Sequence, residues 1–366
     1  MVDSSKLIVK IQTPKSKAVY SKYLPQINMK KSVIQTVNYI LFFLIGVGLL
    51  YFAFRNQDLN SILNALKSAN FWWAIPVFVA WYLGMLARAL RWKMVIETLG
   101  YKPSLGNTFN TMMFGYLVNY AVPRLGEVTR CMSLKKKEDI PPATLFGTVM
   151  VERVVDLLML FLCVVLAFVL EFNAISGFLS QSVFVPLGAW ASEKIFGNTK
   201  VLVIIGLAVV GLIYYLVTLG KKADTTEKID KIDGMVNEVW SGLGTIAKLK
   251  NYGLFSFYSI AIWISYFLTS YLWFKAFDEL TTISVSTTIV VMAMGALGRS
   301  LPIQGGGMGA YHYMISQSLL LFGVSETLGY AYAIINHGVS SVYYLGVGAI
   351  CWLVLLFTKD KSETYI

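Results

Sequence analysis

The sequence predicts an all-α polytopic membrane protein, with six full spans and two re-entrant or broken-helix hairpins arranged as an inverted repeat, on three observations. Of its 366 residues, 56% are hydrophobic and only 14% charged, with a mean hydropathy of +0.62, well outside the composition of soluble domains. Windows such as 32–54 and 201–219 are long enough to cross hydrocarbon, which takes about 20 apolar residues at about 1.5 Å each. Two further apolar stretches, 108–122 and 287–301, are too short to cross, and each stops at a helix-breaking sequence: Pro123-Arg124-Leu125-Gly126-Glu127 and Pro302-Ile303-Gln304-Gly305-Gly306-Gly307-Met308-Gly309. Backbone groups in hydrocarbon must be satisfied within their own segment, so the spans are helices.

Charge sets the expected topology. With the N-terminus inside, 24 of the 31 Lys and Arg fall on one side, six outside and Arg153 within a span, as the positive-inside rule requires. The basic residues are spread over several short loops rather than one face, so the net charge of +11 does not point to nucleic acid. Cys131, Cys163 and Cys351 have no disulfide or metal-ligand spacing. The first apolar run follows about thirty Lys-rich residues without a small-residue cleavage site, so it is expected to stay as a helix. These features suggest a bacterial inner membrane with both termini cytoplasmic.

In chain order, a Lys-rich segment 1–31 precedes a span at 32–54, an amphipathic stretch with Leu59, Ile62, Leu63 and Leu66 on one face, and a span at 71–93. The first short stretch follows. Lys102 and Lys135 to Lys137 both belong inside, so a hairpin near 107–135 that enters and leaves on one side is the simplest path; full crossings would leave the triple lysine outside. A long span at 141–172 closes the first half, 32–172, and 173–199 reads as an outer loop. The second half, 200–357, repeats the order from the opposite side: a span at 201–219, a surface amphipathic helix at 226–250, a span at 252–275, a hairpin near 285–322 and a long span at 327–357, before a tail at 358–366. The repeat is one of hydropathy, without strong residue-level similarity, and such folds hold their sites between the halves at mid-membrane.

Glu152-Arg153-Val154-Val155-Asp156 lies about 16 Å into a span starting near Pro141, close to the bilayer centre. Charges there cost a few kcal/mol each and normally face a polar cavity with partners. Arg153 and Asp156, at i and i+3, are expected to pair, leaving Glu152 to find a basic residue of the hairpin. Asn119, Arg124, Glu127 and Arg130 surround the hairpin break, and forked arginine donors suit a phosphate. The second break offers Arg299, Gln304 and the backbone of Gly306 and Gly307, with His337 at matching depth in the last span and His312 a lesser candidate. The bland alternatives are structural ion pairs, cytoplasmic anchoring for Arg130, and helix packing for the glycines. Arg88, Arg91 and Trp92 read as snorkelling and interfacial anchors. No catalytic triad, metal motif or nucleotide loop is visible, so neither catalytic residues nor a cofactor are assigned.

At Asn119, Pro123 to Arg130, Glu152 to Asp156 and the glycine-rich break at Pro302 to Gly309, the chain resembles the lysylphosphatidylglycerol synthase transmembrane region family, which includes the flippase domain of the multiple peptide resistance factor. The resemblance runs from about 33 to 357. It implies lipid translocation, with Arg124, Glu127, Arg130, Glu152, Arg153 and Asp156 at matching positions. It also departs from the family, where members often carry Glu after the glycines and Arg in the last helix and this chain has His312 and His337. The aminoacyl-phospholipid substrate therefore does not carry over. With the chain ending at Ile366, a synthase domain is not expected. The sequence thus points to a flippase or translocator for a phospholipid, glycolipid or lipid-linked saccharide with an anionic or phosphate-bearing head group, with homo-oligomerisation left open. The competing classes are an intramembrane enzyme using Glu152, Asp156 and His337, and a small-solute or ion transporter.

Overall fold

Five helices begin where a polar side chain, Asp58, Ser104, Asn251, Ser284 or Ser325, caps the first turn. The computed structural model describes residues 44–55, 57–179, 249–301 and 303–360; segment 1–31, most of span 32–54, most of loop 173–199, span 201–219, nearly all of the amphipathic segment 226–250 and most of tail 358–366 lie outside the described residues. The contacts below lie within residues 45–366, one of the two units into which the chain divides. The helices are α1 Leu44–Phe54, α2 Leu59–Ser68, α3 Ala74–Glu97, α4 Leu105–Ala121, α5 Leu125–Glu138, α6 Pro142–Leu170, α7 Phe172–Leu179, α8 Tyr252–Phe274, α9 Val285–Ser300, α10 Ala310–Leu320 and α11 Glu326–Phe357. No strand occurs among the described residues.

Four of these, α3 with the 3-10 turn before it, α6, α8 and α11, are long and apolar enough to cross a membrane. The 29 residues of α6 span about 43 Å at helical rise, against about 30 Å of hydrocarbon. Its outward face carries Leu157, Leu158, Phe161, Leu162 and Val169, all more than half exposed, which is a surface for lipid. By contrast α4, at 17 residues, reaches only about 25 Å.

Two helix–turn–helix pairs are built alike. In the first, α4 turns into α5 through Pro123 and Arg124, whose φ of 68° is left-handed. Gly115 and Gly126 let the helices touch: a Cβ on Gly126 would lie 2.0 Å from the Gly115 carbonyl oxygen. In the second, α9 turns into α10 through Gly305 and Gly306 (φ 65° and 70°), and a Cβ on Gly307 would fall 2.6 Å from the Gly298 carbonyl oxygen. Without a hydrophobic force between helices in lipid, such close backbone packing supplies much of the association energy.

The pairs open at opposite ends of the long helices. At the first, the Ser104 amide (2.9 Å) and the Asn107 side chain (2.7 Å) donate to Glu138 Oε1, so the start of α4 meets the end of α5. That end also meets the end of α11, where Lys137 donates to the Thr358 carbonyl and pairs with Asp360. At the second, Phe322 packs with Ile289 and Val290 beside Ala167 near the end of α6, and Gln317 Nε2 donates to Glu326 at the start of α11 (2.9 Å).

Helices distant in the sequence also pack together. Helix α3 lies on α8, α4 on α11, and α9 on α6. Gly84 is pressed against Ser265 and Gly348 against Met113 and Leu117. Trp81, Met85, Trp92, Met112 and Leu134 fill one core cluster together with Cys351, and Trp273, Phe274, Tyr330 and Tyr332 fill another together with Ala53, Ile62 and Val77.

Candidate functional site

The two turns meet beside a cavity of about 770 Å³, where the glycine turn lies against α4 and the Tyr120 hydroxyl approaches Gly306. Of the residues singled out in the sequence, Asn119, Arg124, Glu127, Arg153 and Asp156 line the cavity, as do Arg299 and Gly306 from the second half. Arg130 and Glu152 stand behind the wall. Gln304, Gly307 and His337 are not among the lining residues: Gly307 is a packing position, and His337 Nε2 lies 3.3 Å from the Gly306 carbonyl oxygen, with its ring 5.0 Å from that of His312.

Two expectations are corrected here. Arg88 and Arg91 are not snorkelling anchors: they are 4% and 0% exposed. Helix α3 does not end at Trp92 and Lys93 but runs on to Glu97, which carries both arginines inward. Nor does Asp156 pair with Arg153. It is clamped across helices, by Arg88 Nη1 on Oδ2 at 2.7 Å and Arg91 Nη2 on Oδ1 at 2.6 Å, because two forked donors from α3 outcompete one neighbour along the same helix.

The clamp continues inward. Glu152, whose side chain is fully buried, accepts from Arg130 Nη2 at 2.8 Å and lies 3.9 Å from Arg91. The Arg130 guanidinium sits over the Trp92 ring (4.6 Å), and the Trp92 indole donates to Thr148 (2.9 Å). Arg88 also donates to the Tyr266 hydroxyl (2.7 Å). Each buried charge in this chain of contacts has an opposite neighbour, which is the condition for keeping charges out of water.

The cations facing the cavity are less well compensated. Arg153, with a side chain 43% exposed, has one carboxylate within ion-pair distance among the described residues, Glu127 at 3.9 Å. Among the described residues Arg124 and Arg299 have no carboxylate partner. Arg299 lies over the Tyr311 ring at 4.5 Å, a cation–π contact in place of an ion pair. The positive-inside count puts Arg299 among the outer cations, whereas the structure sets it in the cavity wall. Four buried atoms of cavity-lining residues are also without a hydrogen-bond partner, Arg88 Nε, Glu127 Oε2, Trp263 Nε1 and Arg299 Nε; such orphans cost about 1–3 kcal/mol each unless a ligand or water meets them.

The lining thus carries Arg88, Arg124, Arg153 and Arg299 against Glu127 and Asp156. The cavity also reaches the outer surface, since Leu157 and Leu301, 67% and 43% exposed, belong to its wall. Sequence reasoning missed Arg88, Tyr266 and Tyr311. The signal for Arg88 was the apolar Met94-Val95-Ile96 beyond Lys93; for the tyrosines no local signal exists.

The comparisons with known proteins agree with an integral membrane chain. A UPF0104 membrane protein of Methanocaldococcus jannaschii is 24% identical over 325 residues, covering 83% of this chain and 91% of that one. A second UPF0104 membrane protein, of Methanothermobacter thermautotrophicus, is 24% identical over 327 residues, with coverage of 84% and 91%. A Haloferax volcanii protein named glycosyltransferase AglD is 22% identical over 332 residues, 84% of this chain but 53% of that protein. All three organisms are archaea, so these relatives lend no support to the bacterial membrane expected from sequence. No solved structure matches. The family described as the lysylphosphatidylglycerol synthase TM region matches residues 39–348, and this multi-pass membrane protein belongs to it.

Proposed function

We propose that the chain moves a lipid with a phosphate-bearing head group across its membrane, through a cavity between two inverted halves whose hairpins enter and leave on the same side. The observation that carries this reading is a cavity with surplus arginine that opens onto lipid-facing apolar surface. Arg124, Arg153 and Arg299 offer forked donors to a phosphate, while Leu157 and Leu301 give acyl chains a route that stays in hydrocarbon. A cavity for a small solute has no need of that opening.

The arrangement of the hairpins supports the inverted repeat. They open at opposite ends of α6, and exchanging the halves maps α4 on α11 onto α9 on α6 while returning α3 on α8 to itself. Alternating access in such folds rocks one half against the other around a fixed site. Lys137 and the C-terminal end of α11 share one end of the molecule, which supports placing both on the cytoplasmic side.

Partner exchange belongs at Arg153 and Glu127. Their 3.9 Å separation is too long for a hydrogen bond, so an entering phosphate takes Arg153 at little cost, whereas Asp156 and Glu152 are held at hydrogen-bond distance within the wall. In proteoliposomes containing fluorescent phospholipid or polyprenyl-phosphate probes, wild-type protein should equilibrate a probe between leaflets and Arg153→Ala should slow it by about tenfold or more, the worth of one charged hydrogen bond. Equal rates for every lipid class would defeat the proposal.

The relative named a glycosyltransferase raises an enzymatic reading, in which Glu152, Asp156 and His337 act together. Their placement favours transport instead: Glu152 is sealed behind Arg130, and His337 lies off the cavity wall. Mass spectrometry of the lipids after incubation separates the two, since transport leaves them chemically unchanged.

A further inference from the structure

Of the unpartnered atoms on the cavity wall, each hairpin carries one, and these two differ in kind. Arg299 Nε, on the second hairpin, is a charged donor with no acceptor; Glu127 Oε2, on the first, is a charged acceptor with no donor. One ligand satisfies both only if it carries an anionic oxygen at one end and an N–H or O–H at the other. The Arg299 guanidinium lies over the Tyr311 ring at 4.5 Å, with no carboxylate within ion-pair distance among the described residues, so this end suits the phosphate.

The donor at the Glu127 end has two chemical sources, an ammonium or a hydroxyl. Arg153 lies 3.9 Å from Glu127 and Arg124 lines the same wall, so an ammonium there would meet two guanidinium groups for one carboxylate. A hydroxyl donates to the carboxylate without that repulsion and also accepts from the guanidinium groups; Asn119, whose side-chain oxygen accepts from the Gly126 amide (2.7 Å), lines the same cavity. Mixed carboxylate and arginine partners match a polyol, in which every hydroxyl both donates and accepts.

We infer that the cavity selects a phosphate carrying an uncharged, hydroxylated group, a sugar or polyol, with the phosphate at Arg299 and the hydroxyls at Glu127, and that it discriminates against ammonium-bearing head groups. This rests on the reading that a lipid head group occupies the cavity.

The test uses the full chain in liposomes with four labelled probes: a polyprenyl phosphate monosaccharide, phosphatidylglycerol, phosphatidylethanolamine and lysyl-phosphatidylglycerol. Wild type should move the first two at least about tenfold faster than the two ammonium lipids. Glu127→Ala should lose about tenfold on the hydroxylated probes, and Glu127→Gln, which keeps a carbonyl acceptor but not the charge, should recover most of that loss. Arg299→Gln should slow all phosphate lipids alike. A wild-type preference for an ammonium lipid, or Glu127→Gln as damaging as Glu127→Ala on the hydroxylated probes, overturns the inference while leaving transport standing. Movement of no probe by wild type defeats transport itself. Should Glu127→Ala fail to fold, the wild-type ranking and Glu127→Gln still decide.

Discussion

The hairpins α4–α5 and α9–α10 have one design and two chemistries. Both begin at a serine cap, both press glycine against the partner backbone, and both break at mid-chain in left-handed residues. Yet the first carries Arg124, Glu127 and Arg130 within seven residues of its break, while the second carries Arg299 alone among aromatic rings. Shape in the two hairpins is therefore set by small residues and caps, which they share, while charge, the basis of the recognition proposed above, is not shared. The difference in charge predicts where each half fails when altered.

The largest effect should come from breaking the ion network behind the first hairpin. Glu152→Ala leaves Arg130 and Arg91 facing each other's charge in a buried wall, and losing one partner of such a pair costs about 3–5 kcal/mol. Thermal unfolding of the purified protein in detergent should show a large drop. The paired change Arg130→Met with Glu152→Leu should recover much of it, because removing both charges removes the desolvation penalty too. At matching depth in the second half, His337→Leu gives up one hydrogen bond, to the Gly306 carbonyl, so its loss should be about 1 kcal/mol. Equal losses at Glu152 and His337 would contradict the asymmetry.

The glycine contacts should behave in the opposite way, alike in both hairpins. Gly126→Ala drives a methyl to 2.0 Å from the Gly115 carbonyl oxygen, and Gly307→Ala drives one to 2.6 Å from that of Gly298. Each should cost about 1–3 kcal/mol as the helices part, with strain from the left-handed φ of 85° added at Gly307. Gly323 also has a left-handed φ, 78°, but open space around it, so Gly323→Ala isolates the backbone strain. Thermal midpoints of the three variants separate clash from strain.

How far this was legible in sequence follows the same division. Helices α3, α6, α8 and α11 follow from long apolar runs, and the two short pairs from runs too brief to cross that end in Pro or Gly. A partner for Glu152 on the hairpin was also readable, because a carboxylate at that depth requires one. What the sequence left open was choice among several arginines. Asp156 had Arg153 one turn away, and only the packing of α3 on α6 brings Arg88 and Arg91 to it. The misreading of those two arginines came from Trp92 and Lys93, which look like the end of a span but are followed by three buried or half-buried apolar residues. Long-range pairing of like residues has no periodicity to betray it.

The smallest test bears on the proposed repeat, through a likeness between the hairpins that hydropathy does not reveal. Each hairpin opens with serine at the cap and threonine four residues on: Ser104 accepts from the Asn107 amide (3.2 Å) and Ser284 from the Thr287 amide (3.0 Å). Thr108 and Thr288 then donate back to the carbonyl of their own cap residue, both at 2.8 Å. Ser104→Ala and Ser284→Ala should each destabilise by about 1 kcal/mol, the usual worth of a cap, and by equal amounts if the starts of α4 and α9 are equivalent. The start of α4 has further ties, from the Ser104 amide and the Asn107 side chain to Glu138, which Ser104→Ala leaves intact because neither donor is the serine hydroxyl. Glu138→Gln should thus weaken the first hairpin by a similar small amount and leave the second untouched, a contrast that hydrogen exchange on the two hairpins would resolve.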